Sequence, residues 1–124
     1  MTYEYPPFII GGAGTYAEKV TCELAKLGHE IFVFAPQIEK LSREAVNVPN
    51  LRIIRVRIND RLPFKALQFW LSLPKVIKTA EKNGKFDIIH FNGISYWFLK
   101  KRLGSAPHIV TIHHLVTDAY HTGF

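Results

Sequence analysis

The chain has 124 residues, 48% hydrophobic and 21% charged, which suits one globular core and not a disordered segment. Sixteen Lys and Arg against ten Asp and Glu leave a net charge of +6, so anionic partners such as nucleotides, phosphorylated sugars or lipid headgroups are favoured. No apolar run approaches the ~18 residues of a membrane span, and neither RNA-binding aromatic signatures nor zinc-finger spacings are present, so no nucleic acid is expected.

The N-terminal Met1-Thr2-Tyr3-Glu4 has no basic or apolar leader character. The lone Cys22 can close no internal disulfide, which suits a reducing cytoplasm. From Tyr3 to Glu18 the chain reads as a strand end, a Pro-stiffened loop (Pro6-Pro7), a glycine cluster and a helix start. Thr15 and Glu18 have capping-box spacing, which predicts a helix beginning at Thr15. Gly11, Gly12 and Gly14 let backbone approach a ligand closely, and N–H groups at a helix start favour an anion, above all a phosphate. A glycine-rich turn that merely joins two elements explains the same residues.

Ala17, Val20, Leu24 and Leu27 share a helical face, with Lys19, Cys22 and Lys26 turned away and Gly28 at the C-terminal stop. Glu30 to Ala35 reads as a strand buried on both faces and stopped by Pro36. Gln37 to Asn50 is polar loop with at most one helical turn. Leu51 to Ile58 alternates Arg55 and Arg57 with Ile54, Val56 and Ile58, which predicts an edge strand with one wet face. Phe64 to Lys82 is an apolar and lysine-rich helix that Pro74 should kink or split. Phe86 to Phe91 is a second buried strand, Ser95 to Leu103 a short helix carrying Tyr96, Leu99 and Leu103, and His108 to Ile112 the last strand. Helices alternating with apolar strands imply an α/β fold: a doubly wound, parallel, Rossmann-like sheet with right-handed crossovers.

Gly12-Ala13-Gly14-Thr15-Tyr16-Ala17 fits the G-x-G-x-x-G/A pattern of dinucleotide binders. The Pro-Pro loop before it and Ala35-Pro36, where an acid should grip a ribose, argue against a small oxidoreductase. His113, His114, Asp118 and His121 lie close in sequence but carry no metal-site framework, so no metal is expected. Ligands of open α/β sheets sit outside the carboxyl ends of the strands. Gly11–Gly14, Pro36-Gln37, His90 with Asn92-Gly93, and His113-His114 all fall there.

Glu4-Tyr5-Pro6-Pro7 with Gly11-Gly12, Leu24-Ala25-x-x-Gly28-His29-Glu30, Phe86-Asp87-Ile88-Ile89-His90-x-Asn92 and Val110-Thr111-Ile112-His113 occur in this order over nearly the whole chain. Together they resemble the N-terminal domain of family-4 glycosyltransferases of the GT-B fold. The resemblance implies retaining transfer of a sugar from a nucleotide-sugar donor to a carbohydrate or lipid-linked acceptor, without metal or other cofactor. Carried over by position, Gly11, Gly12 and Gly14 would face the donor phosphates and His113 the transferred sugar. Tyr5, Pro6, Pro7, His90 and Asn92 would shape the acceptor side. It also implies a first strand of which only Thr2 to Tyr5 remains, and a C-terminal nucleotide-sugar-binding domain that this chain lacks, so the chain alone is expected to be inactive. A non-catalytic Rossmann-like remnant or binding module is the alternative. The segment 61–85 mixes Phe64, Phe69, Trp70 and Leu73 with Lys65, Lys75, Lys78, Lys82 and Lys85, which fits a peripheral contact with the inner membrane face as well as a crossover helix with a solvated lysine side.

Overall fold

The computed structural model describes residues 1–38, 47–93, 99 and 101–113. Helix α1 (Gly12–Lys26) leads to strand β1 (Ile31–Gln37), strand β2 (Leu51–Arg57), helix α2 (Lys65–Ala80), a 3-10 turn (Glu81–Asn83), strand β3 (Ile89–Asn92) and strand β4 (His108–Thr111). Part of the loop expected over 37–50, most of the helix expected over Ser95–Leu103, and His114, Asp118 and His121 lie outside the described residues.

Two parallel ladders form. Ile31 to Gln37 pair with Leu51 to Arg57 residue for residue, and Ile89 to Asn92 pair with His108 to Thr111. Among the described residues, Met1 and Thr2 alone stand between them. The Thr2 amide donates to the Phe34 carbonyl (3.1 Å) and the Asn92 amide to the Met1 carbonyl (2.9 Å), and Thr2 bridges Asn92 in parallel. The order β2–β1–(Met1–Thr2)–β3–β4 is that of a doubly wound α/β sheet, with the two-residue stub at its centre.

Side-chain alternation puts a helix on each face. Val33 and Ala35 turn toward α1, where they pack with Tyr5 and Ala17. Phe34 and Val56 turn toward α2 and join Phe69, Leu73, Ile77, Ile89, Phe91, Leu99 and Leu103 in the larger core. Phe69, Leu73 and Ile77 recur every fourth residue, so one stripe of α2 is fully inward. That stripe flanks Pro74 on both sides and keeps α2 a single helix, although the proline removes one backbone bond. Leu99 and Leu103, expected to share a helix face, are both buried in this core.

Further expectations change. Strand β3 begins at Ile89, three residues after the expected Phe86, and Ile88 is 56% exposed. Helix α1 begins at Gly12, three residues before Thr15, because its cap is supplied from far upstream, as described below. Leu27 lies at the C-cap and is 75% exposed, since the helix has ended before it can reach the sheet. There the Gly28 amide bonds the Ala25 carbonyl and the His29 amide the Leu24 carbonyl, a Schellman closure that needs the positive φ of Gly28 (93°). Pro36 continues β1 instead of stopping it. Its nitrogen lies on the edge of β1 turned away from β2, the edge where the Phe34 carbonyl meets Thr2, so the β1–β2 ladder loses no bond to the missing N–H. Lastly, the face of the edge strand β2 expected to be wet is so only at Arg57, which is exposed: Arg55 is half-buried, its Nη2 bonding the Pro6 carbonyl. Burial pulls the guanidinium pKa down, and neighbouring Tyr5 partly opposes that shift.

Candidate functional site

The carboxyl ends of β3 and β4 and the first turn of α1 converge on one side chain. Asn92, the last residue of β3, donates from Nδ2 to the Ala13 carbonyl (2.9 Å) and to Thr2 Oγ1 (3.1 Å). Its Oδ1 bonds His113 Nε2. The His113 ring stands edge-on to Tyr16 of α1, with centroids 5.1 Å apart. Tyr16 OH is 3.4 Å from Thr111 Oγ1, which His90 Nε2 also meets at 2.7 Å. Burial, and then the positive charge of the Met1 terminus, holds the His90 imidazole below its usual pKa, favouring the neutral ring.

The glycine segment is organised by Glu4. Its Oε2 accepts from the amides of Ile10 (3.0 Å) and Gly11 (2.9 Å), so a carboxylate already sits at the positive end of α1. No side chain caps the helix from the N-cap position itself, Gly11, and Thr15 is exposed one turn in. Gly14 is where the chain is tightest: an added Cβ would stand 3.0 Å from Glu4 Cβ and 3.2 Å from Ile9 Cγ1. Gly14 therefore serves close packing of loop on helix, whereas Gly11 and Gly12 are exposed with open space around them. Replacing Glu4 with Ala removes the cap and should lower stability by about 1 kcal/mol. Urea denaturation checks this, and Glu4→Gln, which keeps an acceptor, should recover part of the loss.

Of the residues assigned to an acceptor side, Tyr5 is 1% exposed and belongs to the core. Its hydroxyl reaches Thr21 Oγ1 on α1 at 2.7 Å, and burial raises its pKa, so it supports the helix and does not line a cleft. Pro6 and Pro7 are half-buried, their peptide bond is cis, and Pro6 is held by Arg55. His90 and Asn92 do come together with His113, although the bonds they make are to the protein itself. Sequence reasoning missed Glu4, Tyr16, Thr111 and Thr2. Glu4 stood inside a recognised motif, and the strand-end position of Thr111 beside His113 was the available signal for the others. Cys22 is half-buried, and desolvation followed by the nearby Glu18 raises its thiol pKa, which disfavours the thiolate. Among the described residues no three His, Cys, Asp or Glu side chains cluster in a way that could hold a metal ion.

The sequence model of Glycosyltransferase Family 4 matches residues 10–124. The chain belongs to that family. The match runs from the glycine segment through β4, so the convergence of α1, β3 and β4 lies wholly inside the glycosyltransferase domain, and the dinucleotide-oxidoreductase reading gives way. No curated protein and no solved structure matches the chain.

Proposed function

We propose that this glycosyltransferase domain forms the acceptor-facing half of a cleft that transfers a sugar, with retention, from a nucleotide-sugar. A second, nucleotide-binding domain completes the cleft. The observation that carries the reading is the Asn92 junction, which brings His113 to the first turn of α1. The amides of Gly12 and Ala13 lie in that turn, where an α-helix has no acceptor of its own. They offer donors to the diphosphate as it departs, which is the charge such a transition state develops. His113 meets the transferred sugar beside them. Amide and imidazole chemical shifts of the 124-residue chain, titrated with a panel of nucleotide-sugars, test this. Changes should concentrate at Gly11 to Ala13 and His113, and a panel that leaves all of them unmoved would sink the reading.

A contact with an anionic membrane belongs to the same proposal, because it would bring a lipid-linked acceptor to the cleft. Phe69 and Leu73 cannot serve it, being 0% exposed in the core. The outward apolar face is instead Leu62 (54% exposed), Phe64 (74%), Leu67 (54%) and Leu71 (56%), accompanied by exposed Arg61, Lys65, Lys75 and Lys78. Leu71 and Lys75 also line a groove of about 650 Å³ between β2 and α2, with Ile54, Val56, Arg57 and Val76. No described helix is long and apolar enough to cross a membrane.

Phe64 supports the surface role, since it caps α2 with left-handed backbone (φ 60°, ψ 47°), a conformation costly for a bulky residue. Gln68 holds the preceding loop in place, accepting from the Asn59 amide (3.0 Å) and donating to the Pro63 carbonyl (3.0 Å). Phe64→Gly should therefore stabilise the fold by about 1 kcal/mol while weakening sedimentation with acidic-lipid vesicles at low salt. Unchanged vesicle binding would remove Phe64 from the membrane surface.

A further inference from the structure

The hydrogen bonds around Asn92 determine more than its own position. The Ala13 carbonyl can only accept, so the atom facing it at 2.9 Å must be the Asn92 amide nitrogen. Thr2 agrees independently: its hydroxyl donates to the Glu4 carbonyl (2.8 Å), leaving its oxygen to accept from the same nitrogen (3.1 Å). Asn92 is thereby held by two bonds in one orientation, and the atom it presents to His113 is the carbonyl oxygen. An oxygen with no proton can only accept. His113 Nε2 must carry the hydrogen, which in a neutral imidazole leaves the lone pair on Nδ1. No described residue bonds that Nδ1.

We propose that Asn92 is a positioning residue that locks His113 in the Nε2–H tautomer, so that the ring, when neutral, meets its ligand as a hydrogen-bond acceptor at Nδ1. The ligand group must then be a donor, which for a sugar is a hydroxyl and not an ether or ring oxygen. Tyr16 stands edge-on to the same ring, with centroids 5.1 Å apart. Discrimination follows from this arrangement: a sugar with fluorine or methoxy in place of the contacted hydroxyl faces an unpaired lone pair and is bound less well. That consequence rests on the proposed role of His113 in sugar transfer, but the tautomer does not.

The tautomer is therefore measured without ligand. Long-range proton–nitrogen correlation spectra of the 124-residue chain at about pH 8, where a free imidazole is neutral, should show His113 with Nε2 protonated and Nδ1 bare. Asn92→Ala should give a mixture of both tautomers. Asn92→Asp loses the two donor bonds but keeps an oxygen toward Nε2, and should preserve the wild-type signature. A wild-type His113 protonated on Nδ1, or an Asn92→Ala spectrum identical to wild type, overturns the proposal. Should Asn92→Ala fail to fold, the wild-type tautomer and Asn92→Asp decide it between them. A failed nucleotide-sugar titration would leave these spectra unchanged, so the two readings fail separately.

Discussion

In the assembled enzyme, His113→Ala should lower kcat by about a hundredfold, the usual scale for losing a contact made in the transition state. His113 lies two residues beyond β4 and is tied to β3 through Asn92, so its position is set by the sheet and not by a free loop. A side chain held in that way loses little entropy when ligand binds, and its contribution falls on the chemical step more than on substrate affinity. The expected signature is a large fall in kcat with a modest change in KM. A KM effect alone would mean that His113 binds ground state and transition state equally, and an unchanged kcat would take it out of the reaction.

The second large effect is on stability. The Met1 ammonium donates to the His90 carbonyl at 2.6 Å in the middle of the sheet, and burial lowers its pKa from 8.0 to about 5. For a chain whose Met1 amine is free, the sign follows from linkage. Between pH 8 and 5 the unfolded chain takes up a proton that the folded chain refuses, so stability is full above about pH 8, declines as pH falls, and levels off below about 5. A three-unit shift corresponds to a loss of about 4 kcal/mol, a large part of the stability of a domain this size. His90 titrates with the same sign, because burial lowers its pKa too. Urea denaturation from pH 8.5 to 5.5 checks the trend. Extending the chain upstream puts a peptide N–H at the Met1 position and should abolish most of the slope. A slope that survives the extension would place the effect elsewhere.

Periodicity carried much of the architecture. The stripe of α2, the buried run of β1 and the glycine stop after α1 are local signals, and each stands close to where the sequence puts it, whereas β3 starts three residues late, at Ile89. The misplacements share a cause, which is that the deciding partner is distant in sequence. Thr15 and Glu18 have capping spacing, yet the cap comes from Glu4 across an intervening loop. Arg55 alternates like a solvent-facing residue, and only the folded Pro6 loop shows what it touches. Tyr5 is expected on the acceptor side, and only its burial and the hydroxyl of Thr21 show it to be a core residue. At the site, topology was enough to gather Gly12, His90, Asn92 and His113 at one edge. Their individual bonds, and the parts played by Tyr16 and Thr111, depend on rotamers that no spacing encodes.

The stub gives this domain an unusual relation between occupancy and cohesion. Among the described residues, backbone hydrogen bonding between the two ladders passes through Met1 and Thr2, while the Gly12 turn and His113 lie on opposite sides of that seam, tied by the Asn92 side chain. A ligand grasped by both would act as a cross-brace, resisting separation of the halves as well as filling the cleft. Saturation at a hundred times Kd adds about 2.7 kcal/mol to any fold that binds only when intact, and here that gain would strengthen the weakest line in the sheet. Hydrogen exchange at the Thr2 and Asn92 amides should then slow on binding more than exchange in the interior of α2.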